Sequence, residues 1–130
     1  MNIIILDDSL TIRMIIESLL EELGVDEDEI YSFDEGSKAL KFIEENGADI
    51  VFSDINMPHM SGFKFAELVF EMMPQLQRTF FAISGSESRK AYQDMKAVGV
   101  HHFMKKPIKA GYFRHFILPE IIKIKLKKIS

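Results

Sequence analysis

Apolar residues occur along the chain in two patterns, short continuous runs and longer stretches in which they recur every three or four positions. The clearest runs are rich in β-branched and aromatic residues, which predicts strands buried on both faces of a sheet. Two weaker runs predict a second and a fifth strand. The predicted strands span residues 3–6, 29–33, 50–52, 79–83 and 101–104.

The stretches between these runs have the apolar spacing of helices, and several of them carry end signals. Ser9 and Asp34 are suited to cap the first and second helices, and Gly24 and Gly99 are suited to end the first and fourth. The predicted helices span residues 10–23, 35–46, 63–72 and 87–98, and a last one begins near residue 109. Pro119 falls where that last helix is still expected, and a proline inside a helix kinks or ends it.

The alternation of five strands with five helices predicts an α/β fold, a doubly wound parallel sheet with helices on both faces. Right-handed crossovers restrict how such a sheet can be wound. Its functional site is expected at the carboxyl ends of the strands, near a switch in strand order. The residues that follow the strands are therefore the first candidates for chemistry.

Polar residues follow four of the five strands. They are Asp7 and Asp8, Asp54 with Asn56 two residues on, Ser84 with Gly85, and Lys106. Carboxylates brought together repel one another unless a cation joins them, and Mg²⁺ binds oxygen ligands of this kind. A lysine neutralises a phosphoryl oxygen, and a carboxylate can act as a nucleophile. The set therefore favours phosphoryl chemistry.

Helix capping is the competing interpretation for any one of these residues, because each of them precedes a predicted helix. Capping does not explain why such residues follow four strands. Lys106 is also poorly suited to the start of a helix, where the helix dipole disfavours a cation. The conjunction favours a functional site.

The composition of the 130-residue chain limits the classes of function. The length suits a single domain. The absence of cysteine excludes disulfides, thiolate zinc sites and cysteine nucleophiles. No targeting segment is visible and no apolar stretch is long enough to cross a bilayer, so we expect a cytoplasmic protein that does not bind membranes.

The formal net charge of −4 conceals an uneven distribution. Residues 1–104 hold 8 Lys and Arg against 19 Asp and Glu, whereas residues 105–130 hold 8 against a single acid, Glu120. Two interpretations of the basic and apolar end stay open. It is a helical stretch that packs its isoleucines on the domain, or it is a contact surface for a kinase, a second subunit or an acidic partner.

The residues after the strands resemble those of the receiver domain of two-component response regulators, of the single-domain chemotaxis type in particular. The resemblance covers residues 2–118. It is carried by Asp7-Asp8-Ser9, by the string from Asp54 through Met57-Pro58 to Gly62, by Ser84-Gly85 and by Lys106-Pro107. It implies a flavodoxin-like sheet of order 2-1-3-4-5. It also implies a receiver domain over residues 1–118. Residues 119–130 depart from the family pattern, and we expect a basic extension there that continues or kinks the last helix.

The resemblance implies a phosphoacceptor and a metal site. Asp54 would accept the phosphoryl group, and Lys106 would bind one of its oxygens. Asp8 would be the main acidic ligand of Mg²⁺ or Mn²⁺, with Asp7, Asp54 and the backbone carbonyl of Asn56 beside it. The Lys106-Pro107 peptide bond is cis in this family.

The resemblance also implies roles around the phosphoryl group. The backbone N–H groups of Asn56 and Gly85 and the hydroxyl of Ser84 would bind its oxygens. Ser84 and Phe103 would form a switch, and Asn56 and Ser86 would tune the rate of hydrolysis.

A protein of this kind signals, and it catalyses only its own phosphorylation and dephosphorylation. Its expected partners are a sensor histidine kinase or phosphotransfer protein and a downstream protein target. The target would contact the face of the fourth helix, fifth strand and fifth helix. No direct contact with nucleic acid is expected, and the protein would be a monomer or a phosphorylation-dependent dimer.

Two other functions are compatible with parts of the sequence. The chain could be the receiver part of a longer DNA-binding transcriptional regulator. It could also be a phosphatase with an aspartate nucleophile, but those enzymes carry an Asp-x-Asp pair on the first strand, and Asp7 and Asp8 are adjacent.

Overall fold

The predicted strands lie side by side in one sheet in which every neighbouring pair is parallel. The computed structural model describes residues 1–129. The strands are β1 (Ile3–Leu6), β2 (Ile30–Phe33), β3 (Ile50–Asp54), β4 (Phe80–Ser84) and β5 (His102–Lys105). Their order is β2-β1-β3-β4-β5, which confirms the expected doubly wound arrangement.

Helices connect these strands and cover both faces of the sheet. They are α1 (Leu10–Glu22), α2 (Gly36–Asn46), α3 (Gly62–Met72), α4 (Arg89–Ala97), α5 (Ala110–Tyr112) and α6 (Leu118–Ile129). Short 3₁₀ turns precede β2 and β4, at Glu27–Glu29 and Pro74–Thr79. Within residues 1–129, no helix is long and apolar enough to cross a membrane.

The predicted helix ends agree with the structure at α1 and differ at α2. Ser9 caps α1, and its hydroxyl accepts the N–H of Ile12. Gly24 follows that helix with φ of 89°, a left-handed conformation that glycine adopts without strain. The prediction that Asp34 caps α2 is wrong. The helix begins one residue later than that cap requires, and the Asp34 carboxylate instead accepts a hydrogen bond from Lys38, one turn into the helix.

The strand residues alternate between two hydrophobic clusters, one on each face of the sheet. Ile3 and Ile5 pack in the cluster beneath α1 and the C-terminal helices, whereas Ile4 and Leu6 pack in the cluster with α2 and α3. All four side chains of β1 are fully buried. Burial on both faces explains why the central strands are continuous apolar runs rather than alternating ones.

The last helix continues through Pro119 instead of ending there. Residues Phe113–Ile117 form a π-helical turn between α5 and α6, and the Leu118 N–H donates to the carbonyl of Phe113, five residues back. A proline lacks the N–H of a regular α-helical bond, and its ring crowds the carbonyl four residues before it. The wider π turn lies directly before the proline, at the place where an α-helical ladder is interrupted.

The side chains of α6 divide between the core and solvent. Ile121 is buried and Ile124 packs against the same core cluster, as the packing interpretation of the basic end expects. Ile122, Leu126 and Ile129 are exposed, contrary to that expectation. A cavity of about 560 Å³ lies between α6 and the amino ends of β3 and β4. The division of the chain at residue 118 stays a prediction.

Candidate functional site

Three carboxylates meet at the carboxyl ends of β1 and β3. In the sheet Leu6 is paired with Ser53, so the residues that follow them, Asp7 and Asp54, lie at neighbouring positions. Oxygen atoms of Asp7, Asp8 and Asp54 all lie within 4.8 Å of one another. The parallel topology thus brings Asp54 to two acids that lie 47 and 46 positions before it in the sequence.

Two of these carboxylates are buried and incompletely hydrogen-bonded. Asp7 is fully buried and Asp54 is 4% exposed, whereas Asp8 is exposed. Asp7 Oδ1 accepts the N–H of Ser9 at 2.8 Å. Within residues 1–129, Asp7 Oδ2 and Asp54 Oδ1 have no hydrogen-bond partner. Buried polar atoms are nearly always paired, so this pair of free oxygens indicates a site for a ligand that binds oxygen.

The electrostatics of the site follow from burial and crowding. Burial and the neighbouring Asp7 carboxylate raise the pKa of Asp54 to about 6, although the Lys106 ammonium and the backbone amides of Asn56 and Ile55 act in the opposite direction. Burial also raises the pKa of Asp7, partly offset by the Ser9 amide and Lys106. Both carboxyls therefore hold protons more tightly than they do in water, and a divalent cation would favour their charged forms.

Lys106 and Ser84 lie at the adjoining ends of β5 and β4. The Lys106 N–H donates to the Ser84 carbonyl at 2.7 Å, and the Lys106-Pro107 peptide bond is cis, as the resemblance implies. The Lys106 charge acts on both Asp7 and Asp54. The Ser84 hydroxyl is buried and without a hydrogen-bond partner among the described residues. The site therefore contains the Lys106 ammonium and the Ser84 hydroxyl in addition to the three acids.

The loop after Asp54 folds back on the strand that ends there. The Gly62 N–H donates to the Ile55 carbonyl at 2.9 Å. A β-carbon on Gly62 would lie 2.5 Å from the Asp54 carbonyl oxygen, so only glycine permits this approach. Asn56 lies in this loop, next to the carboxylate whose pKa its backbone amide lowers. The glycine of the motif therefore has a packing reason at the site.

Gly85 follows β4, and its amide already has a partner. The Gly85 N–H donates to Oε2 of Glu87 at 2.5 Å. The sequence alone gives Glu87 no role at the site, and its only signal there is an acid two residues after Gly85. Ser86, between them, is exposed.

Phe103 lies on β5, opposite Ala82 of β4. Its ring packs against Tyr92 of α4, with ring centroids 5.4 Å apart. It is half-buried at the margin of the core cluster that includes α3 and α4. The residue therefore links β5 to α4.

The structure brings the predicted acids, Lys106 and Ser84 to the same edge of the sheet. The acids Asp7, Asp8 and Asp54 form its floor, and Lys106 and Ser84 lie beside them. Such an arrangement can bind a divalent cation and a phosphoryl group together.

The family model of the response regulator receiver domain matches residues 3–117. The chain belongs to this family. Receiver domains act in two-component signalling, where they interact with histidine kinases or phosphotransfer proteins and with downstream targets. Members of the family bind Mg²⁺ at an acidic pocket, and the group of Asp7, Asp8 and Asp54 has that composition here.

The relatives of this receiver include single-domain proteins and parts of larger ones. A probable chemotaxis protein CheY of Rhizobium etli is 27% identical over 106 residues, covering 82% of this chain and 81% of that protein. The transcriptional regulatory protein FlgR of Helicobacter pylori is 35% identical over 109 residues, covering 84% of this chain but 26% of FlgR. The chain thus spans most of the first relative and about a quarter of the second.

Solved structures show the same fold. The chemotaxis protein CheY4 of Vibrio cholerae is 28% identical, with a TM-score of 0.77 over 91% of this receiver and 96% of that chain. A receiver domain protein from Clostridium thermocellum is 24% identical and has a TM-score of 0.80, which shows the fold alone.

Proposed function

We propose that this receiver accepts a phosphoryl group on Asp54 and carries the signal to a partner protein. The observation that supports this most directly is the pair of buried, unpartnered oxygens on Asp7 and Asp54, with the charge of Lys106 acting on both. A buried acid pair of this kind is costly for the fold and is explained by a ligand that binds there.

The donor set suits Mg²⁺, a hard cation that prefers carboxylate and carbonyl oxygens. Asp7, Asp8 and Asp54 would hold the ion, with the backbone carbonyl of Asn56 as a further ligand. When bound, Mg²⁺ neutralises the negative charge that collects on the oxygens of the transferred group. Lys106 would neutralise a further oxygen from the β5 side.

The proposed transfer is a displacement at phosphorus. A carboxylate oxygen of Asp54 forms a bond to phosphorus, and the bond from phosphorus to the donor's histidine nitrogen or leaving oxygen breaks. The leaving group takes the electron pair, and Asp54 becomes an acyl phosphate. A histidine nitrogen then binds a proton from solvent, whereas a carboxylate oxygen leaves as the anion. Attack of water on that phosphorus later releases inorganic phosphate and restores the carboxylate, so the protein catalyses only its own gain and loss of the mark.

The backbone N–H groups of Asn56 and Gly85 would bind the other phosphoryl oxygens. Asn56 and Ser86 would also set how readily water reaches the acyl phosphate, and thereby the lifetime of the mark. Both residues are exposed at the edge of the site, in contrast to the buried Asp54.

The proposed output face consists of α4, β5 and the last helix, which begins with α5 and continues through the π turn into α6. Among residues 1–129 the Ser84 hydroxyl has no hydrogen-bond partner, so it is available to turn toward a phosphoryl oxygen. Phe103 would then shift into the space that Ser84 leaves, and its contact with Tyr92 would transmit the change to α4. We infer that a sensor histidine kinase or phosphotransfer protein supplies the phosphoryl group and that a target protein binds this face, with the receiver a monomer or a phosphorylation-dependent dimer.

A role in chemotaxis is the pathway that the relatives favour. The names of the Rhizobium etli and Vibrio cholerae proteins are those of chemotaxis proteins. A receiver within a longer transcriptional regulator is the second candidate, favoured by the 35% identity to FlgR. The complete open reading frame that encodes this chain distinguishes them.

The proposed phosphorylation is tested with acetyl phosphate and Mg²⁺, followed by intact mass measurement. The wild-type protein is expected to gain one phosphoryl group. Asp54→Asn is expected to gain none, and omission of Mg²⁺ or addition of a chelator is expected to abolish labelling. Labelling that persists in Asp54→Asn would reject Asp54 as the acceptor.

A further inference from the structure

The amide of Gly85 is engaged by a negatively charged side chain from its own loop. Its N–H donates to Glu87 Oε2 at 2.5 Å. The same residue lies beside Lys106, because a β-carbon on Gly85 would be 3.7 Å from Lys106 Cδ and 3.8 Å from Glu87 Oε1. Gly85, Glu87 and Lys106 therefore meet at the mouth of the proposed phosphoryl site.

A carboxylate on this amide occupies one of the donors that a phosphoryl oxygen would use. One N–H forms one strong hydrogen bond, so two anions compete for it. The phosphoryl group and the Glu87 carboxylate, both negatively charged, also repel each other when they approach the same N–H. Phosphorylation and the Glu87 contact thus exclude each other at the Gly85 amide.

We propose that Glu87 is an internal competitor of the phosphoryl group: its carboxylate holds the Gly85 amide before phosphorylation and leaves when a phosphoryl oxygen takes that amide. The exchange breaks no covalent bond. The Gly85 N–H loses Glu87 and gains the phosphoryl oxygen, and the carboxylate moves into water. This inference rests on the proposed phosphorylation of Asp54.

The position of Glu87 connects this exchange to the start of α4. Glu87 directly precedes Ser88, which caps α4 by accepting the N–H of Ala91. Release of Glu87 from Gly85 breaks the hydrogen bond that holds the loop between β4 and the capping residue of that helix. The contact therefore couples the phosphoryl site to α4 by a route separate from Ser84 and Phe103.

Three variants distinguish the hydrogen bond from the charge. Glu87→Ala removes both, and Glu87→Asp keeps the charge but shortens the side chain. In labelling with acetyl phosphate and Mg²⁺, we expect the initial rate of both variants to rise about three- to tenfold, the effect of losing one competing hydrogen bond. Glu87→Gln keeps an acceptor of the same length without the charge, and an intermediate rate is expected.

Two patterns of labelling rate in the Glu87 variants would contradict the proposal. An unchanged or slower rate in Glu87→Ala would overturn it. A faster rate in Glu87→Ala with a wild-type rate in Glu87→Asp would assign the effect to charge near Lys106 and would also overturn it. If the wild-type protein gains no phosphoryl group on Asp54, the proposed function fails. The Glu87 contact is then tested separately by NMR.

The contact itself is tested on the unphosphorylated protein without metal, and the phosphorylated wild-type protein then serves as a reference. In amide NMR spectra, Glu87→Ala is expected to move the Gly85 proton upfield and to speed its exchange with solvent. The Ser88 and Arg89 amides are expected to shift in the direction seen on phosphorylation of the wild-type protein. Gly85 resonances that match the wild type would show that the carboxylate does not occupy this amide.

Discussion

The backbone amide of Lys106 donates a 2.7 Å hydrogen bond to the carbonyl of Ser84, which ties the end of β5 to the end of β4. The preceding residue, Lys105, is the sheet partner of Ser84. The position of Lys106 is therefore set by its backbone, whereas its effect on the pKa of Asp7 and Asp54 comes from its side chain. A substitution can remove the charge and leave the residue in place.

Lys106→Met is expected to raise the pKa of Asp54 above about 6, because the ammonium that lowers it is removed. The labelling rate with acetyl phosphate is expected to fall on the order of a hundredfold, as when one donor to a developing anion is lost. Carboxyl NMR titration measures the pKa, and Lys105→Met is the matched control. An unchanged Asp54 pKa in Lys106→Met would show that the ammonium does not face the carboxylate.

The stability of the protein without divalent cations is expected to depend on pH through Asp54. Burial raises the pKa of this group from 3.8 to about 6, so the folded state holds the proton more tightly than the unfolded state. Its contribution to the free energy of unfolding is fully present below pH 3.8 and is lost as the pH rises through about 6. The amide of the Asp54→Asn variant does not titrate, so that variant does not lose unfolding free energy in this way as the pH rises.

We therefore expect the free energy of unfolding of Asp54→Asn to rise relative to wild type by about 2 kcal/mol between pH 4 and pH 7.5. Urea unfolding in the presence of a chelator measures the difference. Asp28→Asn, at an exposed acid in the turn before β2, controls for removal of one charge. A difference that is constant over this range would contradict the raised pKa.

Gly62→Ala is expected to destabilise the fold by about 1–3 kcal/mol, since the added methyl group overlaps backbone atoms of Asp54 and Ile55. The loop must move, so the labelling rate at Asp54 is expected to fall as well. Gly111→Ala is the matched control in α5, where a β-carbon meets nothing within 4 Å. That variant is expected to gain up to about 1 kcal/mol from helix propensity. Equal effects of the two substitutions in thermal unfolding would refute the packing argument.

Ile121→Ala tests whether the start of α6 belongs to the folded unit. Ile121 is buried in the core cluster beneath the sheet, so the substitution is expected to cost about 2–4 kcal/mol of unfolding free energy. Ile122→Ala, at a neighbouring residue that is 48% exposed, is expected to cost less than about 1 kcal/mol. Similar small losses in both variants would support an extension that begins at residue 119 and adds little to the core.

Particular residues show which features of the fold and of the site can be predicted from the sequence. The run from Ile3 to Leu6 predicted a doubly buried strand because each of its side chains is apolar, and all four are buried. Asp7 and Asp54 are predictable as site residues because strand ends of a parallel sheet share one edge, and their oxygens do lie together. Asp34 was assigned wrongly because its carboxylate could cap a helix or pair with Lys38, and spacing alone does not separate these outcomes.

The sequence by itself determined the order of strands and helices along the chain, the burial of the central strands on both faces and the set of polar residues at the strand ends. These follow from local periodicity and from the rules of parallel topology. Only the tertiary structure decided that the last helix runs through Pro119, because Phe113 and Ile117, which begin and end the π turn, and Ile121, which follows the proline, are all buried in one cluster against the sheet. It also decided that Glu87 occupies the Gly85 amide, since the direction of that side chain depends on how the loop after β4 meets α4.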